Sequence, residues 1–192
     1  MRPGGLPWPA PEADDALLGF ALALAHGRRC VVTGEDTPRL ARSLLALLRT
    51  GAESAVIVTR SIPPDAEDQL RVEAQRWEMT DLAEPLLQRR LIGRGEAGAE
   101  PALLCDLPHD WWLLAEWNSP AILHHTGRID LLIDLSPLDS HRDPLERLTG
   151  LAATGARHLM LQAGHVDGQA LLRRVGFEVR RQRGTIILGQ RA

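Results

Sequence analysis

The sequence predicts an α/β fold: a doubly wound, seven-stranded sheet, mostly parallel, with an antiparallel C-terminal strand. Three observations carry this. Short apolar runs rich in Val, Ile and Leu alternate five times with helical segments. Those runs are apolar throughout rather than every second residue, as expected where both faces of a parallel sheet are covered. The last two runs, 177–182 and 185–188, are separated only by a turn near Gly184, which is too short for a crossover and calls for antiparallel pairing.

The elements follow in order. Residues 1–12 form an irregular arm, with four prolines and two glycines in the first eleven positions. A single domain, 13–192, begins with a helix over 13–25 that stops at His26 and Gly27. A strand at 29–33 ends on Gly34. Thr37 reads as an N-cap with Pro38 at the first helical position, and the helix carries Leu40, Leu44, Leu47 and Leu48 on one face as far as Gly51. A strand at 55–59 precedes a long polar helical region, 65–88, kinked or broken by Pro85. A Gly/Ala/Glu-rich loop at 93–101 leads to a third strand, 102–105. Strands at 129–134 and 158–162 flank a helix at 144–153, and a helix at 166–175 closes on Gly176 before the final pair of strands.

Composition narrows the function classes. The chain has 192 residues and 44% hydrophobic residues, enough for one self-sufficient core. Its formal charge of -3 does not favour a nucleic-acid partner on bulk charge. All the basic side chains are Arg. Cys30 and Cys105 lie in apolar runs and read as buried free thiols, which predicts a reducing, cytoplasmic setting. The apolar stretch 17–25 follows Glu12, Asp14 and Asp15, where a secretory signal would be basic, and it is too short to span a bilayer. No membrane association is expected.

Two segments carry a family resemblance. In 128–162, Ile129-Asp130-Leu131-Leu132-Ile133-Asp134 followed by a loop and His141-Arg142-Asp143-Pro144 resembles the fourth strand and next helix of the class I S-adenosylmethionine (SAM)-dependent methyltransferases. The C-terminal helix, Val175-Gly176-Phe177 and Ile186-Ile187-Leu188 resemble that family's closing helix and antiparallel hairpin. The resemblance implies a Rossmann-like fold, SAM as cofactor and methyl transfer to a small molecule.

It also implies site residues. Gly34, Glu35 and Asp36 stand in the cofactor loop after the first strand. Asp36 and Pro38 replace expected glycines, and Pro38 lacks an N–H. Arg60 stands where a carboxylate would accept ribose hydroxyls. Asp106 and Asp134 end the third and fourth strands, at the mouth where ligands of open α/β sheets sit. These departures predict weak or absent SAM binding. His141 and His109 are the candidate bases for the acceptor's proton.

Trp111, Trp112 and Trp117 fall within seven residues. They read as a structural helix on the sheet edge, a substrate-pocket wall or a patch for a protein partner, a homodimer included. His124 and His125 are adjacent and cannot both face one metal, and no Cys/His spacing supports a zinc site.

Two further readings remain. One is a non-catalytic relative that kept the fold as a binding or scaffolding partner. The other is an NADP-binding protein like the short-chain dehydrogenases, with Arg60 on a 2′-phosphate; that family's catalytic tyrosine has no counterpart, since the chain contains no Tyr.

Overall fold

The computed structural model describes residues 15–59, 65–88, 92–93, 112–116 and 129–192. In chain order the elements are α1 (Ala16–Ala25), β1 (Arg29–Thr33), α2 (Thr37–Thr50), β2 (Ser54–Thr59), α3 (Ala66–Arg76) and α4 (Thr80–Gln88). Then come β3 (Ile92–Gly93), β4 (Trp112–Glu116), β5 (Leu131–Asp134), a 3-10 turn (Leu138–Ser140), α5 (Pro144–Ala153), β6 (His158–Gln162), α6 (Gly168–Arg174), β7 (Phe177–Arg183) and β8 (Ile186–Arg191).

The strands form one sheet in the order β3-β4-β2-β1-β5-β6-β8-β7. Among the described strands only β8 runs against the common direction, inserted between β6 and β7 and antiparallel to both. The described residues therefore hold eight strands, one more than expected, because the two-residue β3 adds an edge. The expected strand 102–105 lies outside the described residues. The place beside β2 belongs to β4, so Trp112 is on a strand and not on an edge helix. A Trp-Leu-Leu-Ala run suits a strand paired on both sides.

Alternation along each strand builds two cores. Cys30, Val32, Leu131, Ile133 and Met160 face one way, with Leu18, Leu44, Leu45 and Leu70 from α1, α2 and α3. Val31, Leu132, Leu159 and Leu161 face the other way, with Leu148, Leu151 and Leu172 from α5 and α6. Helices thus cover both faces. Cys30 is a buried free thiol, and burial pushes its pKa up to about 12, so it stays protonated and unreactive. Among the described residues no helix is long and apolar enough to cross a membrane.

Local chemistry set two boundaries differently from expectation. Asp36, not Thr37, caps α2: its Oδ1 accepts from Arg39 N at 3.1 Å, and Pro38 lies in the first turn. The helical region 65–88 breaks at Trp77–Met79, and Pro85 stays inside α4. There α3 ends in a Schellman pattern, with Met79 N donating to Ala74 O (2.8 Å) and Glu78 N to Gln75 O (3.3 Å). The buried Met79 side chain ends the helix, and Trp77 Nε1 donates back to Glu73 Oε2 at 2.8 Å.

That motif puts Glu78 at φ 55, a conformation that costs a side-chain-bearing residue about 1–2 kcal/mol. Glu78→Gly is expected to raise stability by about 1 kcal/mol, read as a later urea midpoint with an unchanged slope. An earlier midpoint would show that the Glu78 side chain contributes more than its backbone strain costs.

Candidate functional site

An open α/β sheet binds ligands outside the carboxyl ends of its strands, where the strand order reverses. Here that point lies between β1 and β5: from β1 the strands are laid outward through β2 to the edge at β3, β4 fills the place between those two, and β5 lies on β1's other side. Thr33 and Asp134 are register partners at the ends of these strands. The loops that follow carry Gly34, Glu35 and Asp36 on one side and Leu135 and Ser136 on the other.

On the α5 face, Arg147 grips this junction. Its Nε donates to Asp134 Oδ2 at 3.1 Å, and its Nη2 to Asp134 Oδ1 at 3.0 Å and to Thr33 Oγ1 at 3.2 Å. Asp134 is fully buried, and Ser136 N also donates to it at 3.2 Å. Its carboxylate therefore faces inward onto Arg147. Asp143 fixes where Arg147 sits: its Oδ1 accepts from Leu145 N and Glu146 N, both at 3.0 Å, and starts α5 over the β5 end.

On the α2 face, Arg39 bridges the same junction. Its Nε and Nη2 donate to the Asp15 carboxylate at 2.6 and 3.0 Å, and its Nη1 to Leu135 O at 2.7 Å. Asp15 is also the N-cap of α1, accepting from Leu18 N at 3.0 Å. Burial opposes ionisation of Asp15, but the Arg39 and Leu18 hydrogen bonds and the charges of Arg39 and Arg42 outweigh it and hold its pKa below the ordinary 3.8.

The two loops also touch directly. A Cβ added at Gly34 would lie 3.2 Å from Leu135 Cβ, so this glycine has a packing reason that needs no ligand. Asp139 ties the β5 loop to the β6 loop by accepting from Gly164 N (3.1 Å) and His165 N (2.6 Å); the His165 N–H, with those of Gly164 and Val166, draws its pKa down.

Of the sequence-predicted residues, Gly34, Glu35, Asp36 and Asp134 meet at this junction. Asp36 spends its carboxylate on the helix cap, and Glu35 is exposed. His141 is half-buried on a groove of about 690 Å³ along α5 that Arg142, Glu146, Arg147 and Thr149 also line. Arg60, Asp106, His109, Trp111 and Trp117 lie outside the described residues, and Trp112 is placed only as part of β4. Among the described residues no group of three or more His, Cys, Asp or Glu could hold a metal.

No family model and no curated protein matches the sequence. Solved structures to which the chain is similar include the following two. One is a methyltransferase from Geobacter sulfurreducens, 16% identical over 92% of this chain and 76% of that chain, with a TM-score of 0.46. The other is TrmN from Thermus thermophilus, 13% identical over 97% of this chain, with a TM-score of 0.45; the chain spans 50% of TrmN. The described sheet has the elements expected from the sequence: parallel strands, a closing helix and an antiparallel closing pair.

Asp15, Arg39, Arg147 and Asp139 escaped the sequence reading. Arg147 did leave a signal: it stands one helical turn before Leu151, a charge in line with an apolar position, whereas Arg39 stands before the polar Ser43 and left none.

Proposed function

We propose that this chain is a methyltransferase-like protein whose cofactor crevice is closed by its own side chains, and that it works as a non-catalytic binding partner. The observation that supports this reading is the pair of arginines at the β1–β5 junction. Arg39 and Arg147 consume the polar groups at the strand ends, Asp134 and Leu135 O among them, that a ligand would otherwise meet. A cofactor entering there would have to displace charge-assisted hydrogen bonds, each worth about 1.5–3 kcal/mol, from partly buried groups.

The test is a calorimetric titration with SAM and with S-adenosylhomocysteine. The expected dissociation constant is poorer than ~100 μM, about -5.5 kcal/mol or weaker. Low-micromolar binding would mean that the crevice opens and that the reading is wrong.

A second reading has one observation in its favour. His141 lines the groove beside α5 with Arg142 and Glu146, a setting in which an imidazole could take a proton from a small acceptor. A working methyltransferase would then transfer a labelled methyl group from SAM to a small-molecule acceptor, and His141→Ala would abolish that transfer with the fold intact.

A further inference from the structure

We propose that the edge formed by β7 and the last turn of α6 docks the phosphate backbone of a nucleic-acid duplex. The bulk charge of -3 conceals a strong asymmetry. Residues 168–192 hold six arginines, Arg173, Arg174, Arg180, Arg181, Arg183 and Arg191, against Glu178 alone, a net of +5 that leaves -8 on the other residues. At about 0.1 M salt, charges more than about 10 Å away are largely screened, so a docked polyanion responds to the local excess and not to the total.

The fold decides which of these arginines are available. Arg191 is structural: it donates to the carbonyls of Ala156 and Ala152 and lies over the Phe177 ring, 5.0 Å from its centre. Arg180 is held by Gln190 (2.8 Å) and Glu178 (3.4 Å), and Arg173 by Gln169 (3.2 Å). The guanidinium groups of Arg174, Arg181 and Arg183 are exposed and have no hydrogen bond or ion pair among the described residues.

The strand that carries Arg181 and Arg183 is the sheet's edge. The register shifts between Val179 and Arg181, and such a bulge increases the local twist and splays neighbouring side chains. Arg181 and Arg183, two residues apart, are spaced by about 6.6 Å along the strand, roughly two phosphate rises on one strand of a duplex.

No exposed aromatic accompanies them: Phe177, the single aromatic of β7 and α6, is buried. Without a stacking platform the edge suits a duplex backbone rather than unstacked bases, and it would bind without sequence preference. The competing explanation is that edge arginines only prevent strands of other molecules from pairing there, which requires no ligand.

Fluorescence anisotropy on the full chain with labelled duplexes of about 20 base pairs, DNA and RNA in separate arms, separates the two. Three phosphate contacts predict a loss of affinity of about 40-fold between 50 and 200 mM salt. The triple variant Arg174→Gln/Arg181→Gln/Arg183→Gln, with an unchanged melting temperature, should abolish most of the binding and flatten the salt slope. The control Arg49→Gln/Arg71→Gln/Arg76→Gln makes the same charge change on α2 and α3 and should leave affinity within twofold. Duplex binding of either kind with this pattern supports the proposal. Four results overturn it: no duplex binding at low salt, equal losses in both variants, tighter binding to the single strand than to the duplex, or binding to anionic vesicles without binding to duplex.

Discussion

Replacing Arg147 by Ala is expected to destabilise the fold by about 3–5 kcal/mol. The reason is what the change leaves behind. Asp134 is fully buried, and Arg147 supplies two of its hydrogen bonds as well as its counter-charge; Ser136 N remains as the only other donor described. Thr33 Oγ1 loses a partner in the same step. An unpaired buried carboxylate costs far more than the pair itself contributes, because the pair's attraction largely offsets its own desolvation. The double replacement Asp134→Leu/Arg147→Met should therefore recover most of the loss. Urea unfolding of the two variants checks this. A single-variant loss below about 1 kcal/mol would show that water reaches Asp134, and hence that the β1–β5 junction is open on the α5 face.

Phe177→Ala should cost a comparable amount, about 3–5 kcal/mol, by leaving a cavity where the closing hairpin meets α6. Phe177 is the largest fully buried side chain among the described residues. Gly189 packs close beside it: a Cβ there would lie 3.2 Å from Phe177 Cβ and 3.3 Å from Leu172 Cδ2. Arg191 covers the ring and would lose that contact as well. Because β8 is inserted between β6 and β7, the damage should spread to the sheet, and hydrogen exchange should quicken at Ile187 and Leu188 as well as in β7. A loss below about 1 kcal/mol, with exchange unchanged in β8, would mean that the hairpin is held by its ladder and not by this side chain.

The candidate site was half legible. Gly34, Asp36 and Asp134 were readable as strand-end residues because a strand that stops at a Gly or an Asp announces itself locally. Their roles were not. Asp36 looked like a misfit in a glycine position and is an ordinary helix cap. Asp134 looked like a carboxylate at a ligand mouth, yet it faces a guanidinium thirteen residues on. Pro85 looked like the place where the region 65–88 breaks, but the break comes at Trp77–Met79, where the Met79 side chain is buried in the core.

By itself the sequence determined the alternation of strands and helices, the apolar face of α2, and the antiparallel closing pair. Each of these follows from apolar periodicity, caps and turn length within a few residues of chain. Tertiary structure alone decided which side chains meet at the β1–β5 junction. The contacts there join Arg39 to Asp15 and Leu135, 24 and 96 residues apart, and Arg147 to Thr33, 114 residues apart. A charged side chain's partner is set by which segments the sheet order brings together, and spacing along the chain carries no record of it. The same holds for the arginine edge: total charge is a property of composition, but the field a partner meets depends on which charges the fold leaves exposed and unpaired.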